Sequence, residues 1–149
     1  MVEEADFSAT QDPSLEEISD EGRVLAIIVR SSFSQPGIRF FSEPDFSQQL
    51  GYMRRPAGYA IPPHIHNPVQ REVVLTQEVL FIRSGLVRVD LYRRDCSLLT
   101  YRTLGAGDIV FLAEGGHGIE ILEESEIVEV KQGPYAGDGD KTRFEARQP

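Results

Sequence analysis

"LVRVDLY", residues 86–92, is the stretch that decides the fold class. Val87, Val89 and Leu91 fall on one side of an extended chain, and Arg88 and Asp90 on the other. Side chains alternate with period two in a strand, so the pattern predicts a half-buried β-strand. Runs of the same texture flank it: "RVLAIIVR" (23–30), "IRFF" (38–41), "QLGYMRR" (49–55), "REVVLT" (71–76), "EVLFIRSG" (78–85), "LVRVDLYRR" (86–94), "LLTYRTL" (98–104), "DIVFLA" (108–113), "HGIEIL" (117–122) and "EIVEVKQ" (126–132). Ten short strands cut by Gly, Pro and Asp at this spacing predict an all-β antiparallel sandwich or barrel. Gly85 in "SGLV" and the "GAGD" stretch at 105–108 read as hairpin turns. The lone Gly-x-Gly there is a turn and not a phosphate loop, because no helical pattern follows it.

The bulk numbers narrow the class. At 149 residues the chain reads as one domain, long enough to bury a core. A hydrophobic content of 40% and a charged content of 26% are those of an ordinary globular protein. Apolar runs such as "VLAIIV" (24–29) are too short to span a bilayer, so no membrane partner is expected. "MVEEADFSAT" lacks a basic start and an apolar stretch, and Cys96 is the single cysteine. Both features lead us to expect a cytoplasmic protein.

The net charge of −9 is unevenly spread. Residues 1–22 hold eight acids and no base, and subtracting those eight leaves −1 for residues 23–149. Residues 1–22 are therefore expected to be an acidic flexible leader, with "SLEE" (14–17) able to form one capped helical turn, and residues 23–149 a single domain with a polar tail. The absence of a basic stripe argues against nucleic acid as a partner.

Two of the chain's three histidines stand in "PPHIHN" (62–67). On an extended backbone His64 and His66 point to one face, with Cα atoms roughly 6.5–7 Å apart, and both imidazoles can reach one ion. Glu72 and Glu78 compete for the place of a carboxylate ligand. Glu78 begins a run in which Leu80 and Ile82 share its face, and His117 begins one with Ile119 and Ile121. Polar groups on otherwise apolar faces call for a partner, and a shared metal ion is one that satisfies them all.

These residues resemble the cupin superfamily, specifically its small single-domain bacterial metal-binding members. "GYAIPPHIH" (58–66) is similar to the start of the first cupin motif, a glycine, five residues and His-x-His. "EVLFIRSG" is similar to its close, from Glu78 to Gly85, and "GDIVFLAEGGHGIEI" (107–121) to the second motif with its histidine at His117. The resemblance covers roughly residues 50–122. Eleven residues separate His66 from Glu78 where the family has three or four, which makes 67–77 an insertion, a loop or a strand. Ala113 and Ile121 stand where the family has proline and asparagine.

The resemblance implies a jelly-roll β-barrel with one divalent transition metal (Fe, Mn, Ni, Zn or Cu) held by His64, His66, Glu78 and His117. It further implies an oxygenase- or isomerase-type enzyme for a small, anionic or sugar-like substrate, or alternatively a metal-containing domain that binds or senses a small ligand without turnover. The tail is also similar to cupins loosely associated with polysaccharide biosynthesis. Tyr52 and Arg54 share a strand face beside the motif and are candidate substrate-orienting catalytic residues. Lys131, Gln132, Tyr135, Lys141 and Arg143 read as a strand, a Gly-Pro turn and a polar tail before they read as a site lining. No cysteine or serine is paired with a free histidine for nucleophilic catalysis. A homodimer is expected, with the apolar "VLAIIVR" as an edge strand needing cover.

Overall fold

The computed structural model describes residues 12–147. Eight strands and one 3-10 turn make up its regular structure. They are β1 (Leu15–Asp20), β2 (Arg23–Val29), β3 (Gly37–Phe40), β4 (Gly51–Arg54), β5 (Glu78–Tyr92), β6 (Leu98–Gly105), β7 (Ile109–Leu112) and β8 (Gly116–Lys131), with the turn at Gly137–Asp140. One antiparallel sheet runs β1-β2-β7-β5-β6, with β8 paired to the other side of β5, and β3 and β4 form a separate hairpin. The fold is all-β, a curled antiparallel sheet that forms half of a barrel.

The curl follows from the pairing. Leu112 lies opposite Glu78, and four residues later Gly116 lies opposite Tyr92. Four residues span at most roughly 14 Å. A straight strand from 78 to 92 would separate those partners by roughly 46 Å, so β5 must fold over. It does so near Ser84–Leu86, where the β5–β8 register shifts repeatedly. Gly85 sits at this bend with φ +88°, and any side chain there would run into the Glu124 carbonyl and Ser125. The expected hairpin at Gly85 is thus a bend inside one continuous strand, and the two runs 117–122 and 126–132 likewise join into β8. The turn at 105–108 is present and grips the bend: Gly107 N–H donates to the Ile82 carbonyl at 2.7 Å. Asp108 holds that turn, its buried carboxylate accepting from Gly105 N–H (2.9 Å), Ser31 N–H (2.8 Å) and Arg30 Nη1 (3.1 Å).

Both halves of β5 feed one core. Leu80, Ile82, Val87, Val89 and Leu91 pack with Ala26, Ile28, Leu104, Val110 and Leu112. A second cluster on the other face of the sheet joins Ile27, Val29, Phe33 and Phe111.

Three further expectations are corrected. The span read as a leader contains β1, which pairs with β2 from Leu15↔Val29 to Asp20↔Arg23 and buries Ile18, so "SLEE" is strand and not a helical turn. Residues 1–11 of that span lie outside the described residues. Strand β2 is apolar because it is central, flanked by β1 and β7 with both faces covered, and it is not an edge awaiting a partner. The run 71–76 does not form a strand: residues 55–77 connect β4 to β5 without regular structure.

Candidate functional site

Glu78 opens β5 between two neighbours, with Leu112 of β7 on one side and Lys131 of β8 on the other. Its backbone is fixed from the residue before. Gln77 is buried, and its N–H donates to Gln132 Oε1 at 2.7 Å. Gln132 Nε2 in turn donates to Ser47 Oγ at 2.8 Å, and Gln77 Oε1 accepts from Gln48 N–H at 3.1 Å. Glu78 shares the face of Leu80 and Ile82, and its side chain is 15% exposed.

His117 enters from β8, opposite Leu91. Its Nε2 donates to Glu78 Oε2 at 3.2 Å. That bond holds the Glu78 carboxyl below the usual carboxylate range, against partial burial, which pushes it up. The charges of Lys131 and Lys141, and that of His117 whenever it is protonated, pull in the same direction as the bond. Lys131 and Lys141 are the only lysines in the sequence. The carboxylate is therefore anionic at neutral pH and faces an imidazole.

A separation of 3.2 Å suits a hydrogen bond, and it equally suits two ligands of one ion. Donors about 2.0–2.2 Å from a common ion stand about 2.8–3.1 Å apart in octahedral and about 3.3–3.6 Å apart in tetrahedral geometry. One carboxylate oxygen and one imidazole nitrogen thus fit half of a transition-metal shell.

His64 and His66 lie elsewhere on the chain path, in the exposed segment between β4 and β5. Their rings are neighbours, with centroids 5.2 Å apart, and His64 Nδ1 bonds the Pro62 carbonyl at 2.9 Å. Among the described residues no three or more of His, Cys, Asp and Glu gather as a metal-holding group. The four predicted ligands thus stand as two pairs, Glu78 with His117 and His64 with His66. Glu72 is exposed and lines a shallow cleft with Asp45, Phe46 and Ser47.

Tyr52 and Arg54 do share a face of β4, but they are engaged elsewhere. Tyr52 packs edge-on against Phe33 with centroids 4.9 Å apart, and Arg54 Nη1 donates to Ser34 Oγ at 2.7 Å. The residues that sequence reasoning undervalued are Gln77, Lys131 and Gln132. Their signal was visible only as a polar end to an apolar strand, since no spacing rule links 77 to 132.

A cleft of about 190 Å³ lies apart from this site, lined by Asp20, Arg23, Arg93, Arg94 and Glu114 among others. Its charges satisfy each other, with Arg93–Asp20 at 3.3 Å and Arg94–Glu114 at 2.9 Å, so it offers little free charge to a ligand. No helix among the described residues is long and apolar enough to cross a membrane. No protein-family model matches the chain, and comparison with curated proteins and with solved structures gives no match.

Proposed function

We propose that this chain is a cupin-type jelly-roll barrel that binds one divalent transition metal through His64, His66, Glu78 and His117 and acts as an enzyme on a small anionic or sugar-like substrate. The observation that carries this reading is the meeting of Glu78 and His117 at 3.2 Å, from strands that bring them together only because β5 bends. An ion bound there supplies a Lewis-acid centre for an oxygen of the substrate or for dioxygen. Glu78 contributes negative charge and His117 a neutral nitrogen, while Gln77 and Gln132 hold the strand end so that the pair keeps its geometry. Lys131 and Lys141, both close enough to act on the Glu78 carboxyl, favour a substrate with a negative group.

A second reading is a metal-containing domain that binds or senses such a ligand without turnover. It is favoured by the engagement of Tyr52 and Arg54 with Phe33 and Ser34, which takes up both of the expected substrate-orienting residues. One experiment separates them. Protein loaded in turn with Fe(II), Mn(II), Ni(II), Zn(II) or Cu(II) is incubated with small acids, phenols and sugars, and both oxygen uptake and product masses are recorded. Metal-dependent turnover supports the enzyme; saturable binding with unchanged ligand mass supports the sensor; neither, with no metal retained, removes both.

A further inference from the structure

Strand β8 is sixteen residues long and, among the described residues, is paired along one edge only, to β5. A long bare edge is a template for another strand. The barrel is open beside it. His117, Ile119 and Ile121 lie opposite Leu91, Val89 and Val87, which are buried, yet Ile119 is 42% and Ile121 53% exposed. Near the other end of β8, Val128 and Val130 are about half exposed as well. Ile119 and Ile121 belong to the core face, and among the described residues nothing covers them; Val128 and Val130 lie opposite Phe81 and Val79, on the other face of the sheet.

The same chain carries a segment with the complementary defect. Residues 55–76 are exposed throughout, with Ile65 at 91% and Val74 at 81%. Among the described residues, 60–76 form no backbone–backbone hydrogen bond. Yet between its prolines (Pro56, Pro62, Pro63 and Pro68) this arm carries strand-like runs. His64 and His66 fall on one face with Ile61 and Ile65 on the other, and "REVVLT" is rich in β-formers. Charge agrees too: β8 holds five glutamates against Lys131, a net −4, whereas the arm holds Arg55 and Arg71 against Glu72, a net +1 before its histidines are counted.

We infer that the arm 55–76 is exchanged between two copies of this chain, each arm lying along the free edge of the other copy's β8 and bringing His64 and His66 to the other copy's Glu78 and His117. Eleven residues separate His66 from the rooted Gln77, which gives the arm a reach of roughly 35 Å from its own body. Added-strand docking pairs the bare edge of β8 with the arm's backbone outside its prolines and covers Ile119 and Ile121. The reciprocal exchange is closed and two-fold, so it ends at the dimer. This deepens the metal reading above and rests on it only for the role of the histidines.

The test combines assembly with metal content. Light scattering at micromolar concentration is expected to give a dimer for the full chain and a monomer when residues 57–75 are replaced by a short Gly-Ser linker. For the second arm, a His64→Ala/His66→Ala chain is co-expressed with a Glu78→Gln/His117→Ala chain. Each variant alone is expected to hold almost no metal. Random pairing makes half of the dimers mixed and leaves each of those with one intact site, so about a quarter of the wild-type metal should return. A full-length monomer, or a dimer that survives loss of the arm, overturns the exchange. So does a co-expressed mixture that stays metal-free while wild type is loaded, which places the arm on its own body. An arm-dependent dimer in which wild type itself holds no metal upholds the exchange and removes the metal reading instead.

Discussion

His117 Nε2 stands 3.2 Å from Glu78 Oε2, although the two residues pair at opposite ends of the β5–β8 ladder, Glu78 with Lys131 and His117 with Leu91. The contact exists because β7 and β8 are joined by the short link 113–115 and β5 doubles back between their partners. The candidate site and the bend of β5 are therefore one structural feature.

Gly85 is where that feature is most vulnerable. Gly85→Ala adds a Cβ at φ +88° against the Glu124 carbonyl and the Ser125 Cα, both backbone atoms, as well as against Ser125 Oγ. Strain of this kind amounts to about 1–3 kcal/mol, and the clash adds to it. Chemical denaturation should show a loss of about 2–4 kcal/mol. A variant that unfolds with wild-type stability would mean that the bend is carried elsewhere.

Strand β1 should matter for stability. Removing residues 1–20 takes away Ile18 from the core, the whole β1–β2 ladder and the partner of Arg102, whose Nε donates to Glu16 Oε1 at 2.8 Å. A fall in melting temperature of more than about 5 °C is expected. An unchanged melting temperature would contradict the pairing of β1 with β2.

The Glu16–Arg102 pair gives a pH dependence of known sign. The hydrogen bond from Arg102 lowers the Glu16 pKa below its ordinary 4.5, and partial burial opposes it. A carboxyl whose folded pKa is depressed stabilises the fold above its unfolded value and loses that contribution as pH falls through the folded one. Wild type should exceed Glu16→Gln by about 0.5 kcal/mol at pH 7, a figure kept small by solvent screening. The difference should shrink below pH 4.5. A difference that grew on acidification would contradict the sign.

The strands were legible in the sequence wherever one face was buried. Val87, Val89 and Leu91 alternate with Arg88 and Asp90, and all three are in the core. The starts of β5 at Glu78 and of β8 close to His117 were legible for the same reason. Period-two reasoning is local, however. It does not reveal that Gly85 bends a strand instead of ending one, because a positive-φ glycine serves both purposes. Nor does it tell a central strand from an edge, so β2 looked like a dimer surface. In "REVVLT" the β-propensity finds no partner strand among the described residues, and the segment stays without regular structure.

The central claim is that Glu78 and His117 form half of a metal shell completed by His64 and His66. Elemental analysis of purified protein, loaded with an equimolar divalent ion and then desalted, tests it most directly. About one ion per chain is expected in wild type and in Glu72→Ala, with most of the metal lost in each of His64→Ala, His66→Ala, Glu78→Gln and His117→Ala. Full metal in the His66→Ala or Glu78→Gln protein, or loss of metal in Glu72→Ala alone, would contradict the account.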